Sequence, residues 1–330
     1  MSMGKKSELQ SNLIECVPNF SEARDPRTIA AIAEAIESVP GTLLLGTDPG
    51  PGANRTVFTF AGEKEPVIES AYRALAKAIE HIDMSKHQGA HPRIGACDVC
   101  PFVPLEGSTM RSCIEAAREL AYRAGNNLAL PVYLYGKAAL DASRIELADL
   151  RRGQYEGLRT RIESESFLPD FGPAGFNERS GATAIGAREV LVAYNVSLET
   201  DDLKVARKIA SLIRESSTET GLKKVKAIGW YMEEYGLCQV STNILDYRIT
   251  SLKSVFDRVK KEAKDRGVAA VGSEVIGLLP LAALGGEDDS ESEPHLEPVV
   301  EYLGLNRHKP FRIRERVLEY RLADLKKDKS

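Results

Sequence analysis

Between Asp83 and Gly107 the chain places two histidines, His87 and His91, beside Lys86 and Arg93, among glycines and prolines that exclude a regular helix. Imidazole titrates near neutrality, so a histidine held in a shaped loop is a candidate to take and return a proton. His91 is the better placed of the two, because Pro92 biases its backbone to an extended conformation and aims the ring. A structural histidine bonded to loop carbonyls is the alternative. The four-residue spacing of the pair would suit a metal ion on a helix, but Gly89 and Pro92 deny that helix and no Glu lies between the two. No metal is therefore expected. Cys97 and Cys100 have redox-motif spacing without the second pair a structural zinc needs. Buried thiols pointing to opposite faces of a strand are the expectation there.

Other candidates lie outside this loop. Asp48 stands in a turn-rich stretch, Gly46 to Arg55, where it either satisfies the backbone or presents a carboxylate to a cation. Arg55, Arg93 and Arg179 are candidate carboxylate anchors, since a guanidinium grips a carboxylate bidentately. The glycine-rich segment Pro169 to Thr183 lets a backbone approach a ligand closely, and within it Phe176 can stack on a flat ring or fill core space.

The elements that must hold these groups read as two similar units. In the first, a strand at Leu13 to Val17 precedes a helix from Pro26, capped by Asp25 and ended by Gly41. Strands at Thr42 to Leu45 and Thr56 to Ala61, a helix at Pro66 to His81 and a strand from Asp98 follow. A helix at about Thr109 to Ala124 and a strand at Val132 to Tyr135 are added to that core. In the second unit the order is strand Val190 to Val196, helix Asp201 to Ile213, strands Val225 to Met232 and Cys238 to Leu245, helix Leu252 to Arg266 and strand Val268 to Val275. Both read β-α-β-β-α-β, the order of ferredoxin-like folds. The expected class is α/β (α+β), with two sheet subdomains, 1–190 and 191–330, and a ligand cleft or tunnel between them. The acidic run Gly285 to Glu293 reads as a solvated loop, and the lysine-rich end after Asp324 as a frayed tail.

Composition narrows the function classes. With 330 residues, 43% hydrophobic and 28% charged, the chain is an ordinary globular protein large enough for two cores. A formal net charge of -4 weighs against nucleic acid as the main partner. No apolar run has the length of a membrane span and the N-terminus has no signal-peptide core, so no membrane partner and a cytoplasmic location are expected. Five scattered cysteines suit reduced thiols better than a disulfide framework.

The stretch Asp83-Met-Ser-Lys-His-Gln-Gly-Ala-His-Pro-Arg-Ile-Gly95, followed by Asp98-Val-Cys-Pro-Phe-Val-Pro104, resembles the signature of glutamate formimidoyltransferase, the formiminotransferase part of the formiminotransferase-cyclodeaminase family. Collinear matches extend the resemblance over roughly residues 13 to 283: Glu15 to Glu22, Asn54 to Val57, Pro131 to Gly136, Pro169 to Pro173, Gly181 to Ala184, Ile228 to Tyr231 and Gln239 to Asn243. It implies transfer of a formimino group from N-formimino-L-glutamate to N5 of tetrahydrofolate, a co-substrate, by a homodimer with no metal. It implies His91 as the catalytic residue and Asp48 as a carboxylate facing the cationic formimino group. Arg55 and Arg93 would bind the glutamate carboxylates, and the folate-binding loop falls on Gly172, Pro173, Ala174, Gly175, Phe176, Asn177, Glu178, Arg179, Ser180 and Gly181. The interior of that loop departs from the pattern, with Ser180 where animal members carry an aromatic residue. The vertebrate enzyme continues into a cyclodeaminase domain, so a single activity is expected of this chain. A related transfer from another donor such as formylglutamate, and folate binding without turnover, are the alternatives.

Overall fold

The structure, a computed structural model, describes residues 12–105, 107–217, 220–286 and 295–328. Its first sheet is built around an interrupted strand, β1 (Ile14–Cys16) and β2 (Asn19–Phe20). Both pieces pair antiparallel with β4 (Arg55–Gly62) on one side and β5 (Cys97–Pro104) on the other. β3 (Thr42–Gly50) forms a hairpin with β4, and β6 (Val132–Gly136) and β7 (Thr183–Ala187) extend the sheet beyond β5 in parallel. Three amphipathic helices cover one face, α1 (Pro26–Glu37), α2 (Lys64–His81) and α3 (Met110–Asn127). Between them and the sheet lie Ile14, Phe20, Ile36, Phe58, Phe60, Leu75 and Phe102, all fully buried. Each such side chain contributes about 1.5–3 kcal/mol to stability.

Residues 137–182 carry two further helices, α4 (Leu147–Leu150) and α5 (Gln154–Ile162), over the other face. A short link from Arg188 leads to the second sheet, ordered β11 (Ala270–Ile276), β8 (Val192–Leu198), β10 (Leu237–Ile244), β9 (Val225–Met232), every pair antiparallel. With α6 (Leu203–Ile213) and α7 (Leu252–Lys264) it is the β-α-β-β-α-β unit that the element order predicts, and strands β1/β2, β3, β4 and β5 with α1 and α2 form the first. Helices α8 (Glu297–Leu303), α9 (Ile313–Arg316) and α10 (Leu318–Asp328) close the chain.

Four readings of the sequence are corrected. The strand β7 falls between the glycine-rich segment Pro169 to Thr183 and the strand expected from Val190, where the sequence reading places no strand; its Thr-Ala-Ile-Gly-Ala composition has little strand propensity, and it forms because all five residues are buried between β5 and β6. β3 runs on to Gly50, past a bulge at Leu44/Gly46, so Asp48 stands on a strand and not in a turn. Cys97 and Cys100 enter the same core because a register shift opposite β2 leaves Asp98 as an extra residue between Cys97 and Val99. The segment after Asp324 continues the helix α10, tied by Arg314 Nη2 at 2.5 Å from Asp324 Oδ1. The acidic run lies mostly outside the described residues.

The domains meet along β3 and β4 of the first sheet. Asp48 on β3 accepts hydrogen bonds from the Gly277 amide at 2.8 Å and from Arg316 Nη1 at 2.7 Å. A Cβ at Gly277 would stand 3.6 Å from Val57, and one at Gly52 3.1 Å from Met232. Lys226 of β9 pairs with Glu146 ahead of α4.

Candidate active site at the domain junction

The loop after α2 is held from three sides. The Asn54 side chain donates to Gln88 O at 3.0 Å and accepts from the Ala23 amide at 3.0 Å, so the tip of the β3–β4 hairpin pins the loop's middle. Its far end is stitched to the 177–182 segment: Met84 N donates to Arg179 O at 2.8 Å, Ala96 N to Ser180 O at 2.9 Å and Ala182 N to Ile94 O at 3.0 Å. Gly181, at φ +65°, lies so close to Ile94 that an added Cβ would stand 2.2 Å from its carbonyl oxygen. The two glycine-rich stretches singled out in the sequence therefore form one contiguous surface.

His87 is part of that fixing. Its Nε2 stands 2.9 Å from Asn54 O and its Nδ1 accepts from Arg93 Nε at 3.1 Å, so both ring nitrogens are occupied and the neutral tautomer is set. Arg93 is buried and grips Glu156 with both terminal nitrogens, at 2.8 and 2.6 Å. A substrate carboxylate at Arg93 would have to displace Glu156.

His91 is arranged differently. Its Nδ1 lies 2.7 Å from Pro92 O, which only accepts, and 3.1 Å from Arg55 Nη1, which only donates; a proton on Nδ1 serves the shorter of the two contacts. Nε2 is then the basic nitrogen. Trp230 of the second domain stands edge-on to the His91 ring with centroids 5.9 Å apart. Burial lowers the imidazole well below its ordinary value, and the Arg55 and Arg151 charges lower it further against the pull of Asp98. The ring is neutral at pH 7, as a proton acceptor must be.

Behind His91 lies a buried ionic cluster. The fully buried Asp98 carboxylate accepts from Arg55 Nη1, from Arg151 Nη2, and from the Ile94 amide at 3.0 Å, while Arg55 Nε donates to Asn19 Oδ1 at 2.9 Å. Burial alone would raise the carboxyl, but the two arginines outweigh it and hold it far below the usual range. Burial lowers Arg55 from 12.5 to about 10, which leaves it charged at neutral pH. Two cations against one anion give the site a net positive balance beside His91. That balance attracts carboxylate-bearing ligands and makes a protonated His91 a ready donor.

The other candidates have these places. Asp48 faces Gly277 and Arg316, so its charge is already countered by an arginine. In the 172–181 segment, Gly172 is locked against Leu130 and Gly125, and Asn177 Oδ1 receives the Ser180 amide at 2.9 Å. Phe176 lies 5.4 Å from the Tyr155 ring with the Arg159 guanidinium 4.6 Å over it, and Glu178 lies 3.5 Å from Arg159. Pro173, Ala174 and Gly175 are exposed, and a Cβ at Gly175 would meet nothing within 4 Å. Arg179 donates to Glu80 O at 2.6 Å, and Ser180 is buried. Asn19, Asp98, Arg151 and Trp230 join the site without having been read as site residues. Asn19, Asp98 and Trp230 lie in stretches that carry the family resemblance, though none draws a role there, and Arg151 lies in no such stretch. Among the described residues no group of three or more His, Cys, Asp or Glu side chains is placed to hold a metal ion.

The chain is 44% identical over 328 residues to the formimidoyltransferase-cyclodeaminase of Mus musculus, covering 95% of this chain and 60% of that protein. It therefore spans under two thirds of the length of that relative. It is 41% identical over 274 residues to the glutamate formimidoyltransferase of Streptococcus pyogenes serotype M1, covering 83% of this chain and 91% of that one. With the enzyme of the same name from Thermoplasma acidophilum it shares 42% over 275 residues, covering 83% and 90%. Residues 13–188 match the N-terminal subdomain of the formiminotransferase domain and residues 193–323 match the formiminotransferase domain. On these matches, with both β-α-β-β-α-β units in place, the chain belongs to the formiminotransferase domain family.

Proposed function

We propose that this protein transfers the formimino group of N-formimino-L-glutamate to N5 of tetrahydrofolate, giving L-glutamate and 5-formimidoyltetrahydrofolate. The observation that carries the reading is His91: neutral and set beside the Arg55–Asp98–Arg151 cluster, with Nδ1 between Pro92 O and Arg55 Nη1 and Nε2 taken as the base. Tetrahydrofolate, the acceptor, supplies the N5 nucleophile. His91 Nε2 takes the proton that N5 sheds as the new C–N bond forms, and returns it to the departing glutamate nitrogen as the old C–N bond breaks. Arg55 and Arg151 keep His91 from holding that proton.

In this reading Asp48 and Arg316 face the donor from the domain junction, and the positive balance around Arg55 draws its carboxylates. The segment 172–181 supports a folate site through the open backbone at Gly175 and the half-buried ring of Phe176, which offers a face for the pteridine. Five free buried thiols suit a reducing cytoplasm. A homodimer is the expected assembly; a sedimentation mass near that of one chain at micromolar concentration would contradict it.

Purified protein is incubated with tetrahydrofolate and, in turn, N-formimino-L-glutamate, N-formyl-L-glutamate and formiminoglycine, with the absorbance of the folate product followed. Turnover with formiminoglutamate above the other two supports the assignment. Preference for another donor redirects it, and folate binding without turnover removes it.

A further inference from the structure

The chain's one tryptophan stands at the junction of the two domains, on the edge strand β9, its ring at 68° to that of His91. An edge strand does not by itself fix an indole there. A row of polar side chains across the second sheet does. Trp230 lies directly opposite Gln239 on β10, and Gln239 directly opposite Ser197 on β8. The indole N–H donates to Gln239 Oε1 at 3.0 Å, and the Gln239 amide nitrogen donates to Ser197 Oγ at 3.1 Å and to Glu274 Oε1 at 2.8 Å. A carboxylate only accepts, so the amide must turn its nitrogen to Glu274 and its oxygen to the indole; no other orientation satisfies both neighbours. Glu274 is itself held by the Tyr235 hydroxyl at 3.2 Å and the Asn195 amide at 3.4 Å. Gln239, Ser197 and Asn195 are at most 2% exposed, where a misdirected amide is costly.

We propose that Trp230, oriented by Gln239 and through it by Glu274, is a positioning residue for His91: the second domain's sheet fixes the ring of the proton carrier that the first domain supplies. The inference rests on the reading of His91 as that carrier. Pro92 O and Arg55 Nη1 hold only Nδ1, and the indole, at 5.9 Å between ring centroids, restrains the rest of the imidazole, so Nε2 keeps one direction. It also keeps water from that side of the ring.

Two measurements test this and separate its failure from failure of the underlying reading. Trp230 is the only indole, and an adjacent imidazolium quenches indole emission. Emission of wild-type and His91→Asn protein is recorded from about pH 8 down to the acid limit of the folded state. The charged groups facing His91 are Arg55 on β4, Arg151 beyond α4 and Asp98 on β5, which keep their charge over this range; His308, 2.7 Å from Ser197 Oγ in the polar row behind Trp230, titrates on the acid side as well, and the His91→Asn protein separates the two. The expected result is quenching on the acid side with a midpoint below 6.5, absent in His91→Asn. Emission that is the same in both proteins overturns the proposal.

The second measurement is turnover of Trp230→Phe, which keeps an aromatic ring and deletes the N–H, and of Gln239→Met. Misplacing a reacting group by about 1 Å can cost up to about a hundredfold in rate. Both variants should lose kcat by that factor with KM for either substrate nearly unchanged, and the acid limb of the kcat profile of Trp230→Phe should move upward. Wild-type kcat and profile in Trp230→Phe overturn the proposal, and this variant decides even where Gln239→Met does not fold. If His91→Asn turns over normally, the proton-carrier reading falls, while the emission result still decides whether the two rings are coupled.

Discussion

His87 and His91 share a loop, yet their ring nitrogens are used differently, and only part of that difference is legible in the chain. Pro92 marks His91 as the aimed ring, but nothing near His87 announces that Asn54 O and Arg93 Nε will occupy both of its nitrogens. His87→Ala should therefore cost stability, about 1–3 kcal/mol for the partners left unmet, read as a lower urea midpoint, with turnover of the folded fraction largely kept. Glu15 was equally opaque, a motif residue whose carboxyl turns out to be buried. Burial raises it from 4.5 to about 7, against the Arg188 charge and with help from Glu319. A folded-state value above the unfolded one means that the stability it contributes is complete below about pH 4.5 and is lost as pH rises through about 7. Glu15→Gln should match the wild type in urea melts at the acid end and exceed it at pH 8, by up to about 3 kcal/mol. An equal difference at both ends would show that the Glu15 charge is already compensated.

Among the elements, long periodic helices and β-branched strands could be read from the chain, and short buried ones could not. α2 and β9 lie nearly where periodicity puts them. β7 and the bulge at Asp98 exist because neighbours demand them, β7 by filling the gap between β5 and β6 and Asp98 by slipping the register opposite β2. That bulge lets Asp98 meet Arg55 and Arg151 while Cys97 and Cys100 share a core, and no local pattern encodes it. Two glycines of the 172–181 segment make opposite predictions. Gly181→Ala forces a side chain into the left-handed region and against Ile94 O, and should cost about 2 kcal/mol or more while parting the two loops. Gly175→Ala meets nothing and should leave the melting temperature unchanged. A titration with tetrahydrofolate then reads Gly175 cleanly: weakened binding means the ligand approaches its backbone, and unchanged binding places folate elsewhere on the loop.

The whole molecule depends on contacts that span nearly all of its length. Both units were legible from element order, but their junction was not, since Asp48 meets Arg316 and Leu45 O accepts from Arg321 Nε at 2.8 Å, pairs with no shared local pattern. The helix α10, of which only the end after Asp324 reads as a frayed tail, packs Leu318 against Leu45 and Ala61 and so closes one end of the junction. A double-mutant cycle on Asp48→Asn and Arg316→Gln should return a coupling of about 1–3 kcal/mol in urea denaturation, because the pair is mostly shielded from solvent. Coupling near zero would make it a surface pair that does not hold the domains. The central claim is that a neutral His91, supplied by one domain and faced by the other, moves the proton of formimino transfer. Its most direct measurement is the kcat of His91→Ala with formiminoglutamate and tetrahydrofolate. A loss of about a hundred- to ten-thousandfold with folate affinity little changed is the predicted result. Normal turnover, or a loss confined to KM, would contradict it.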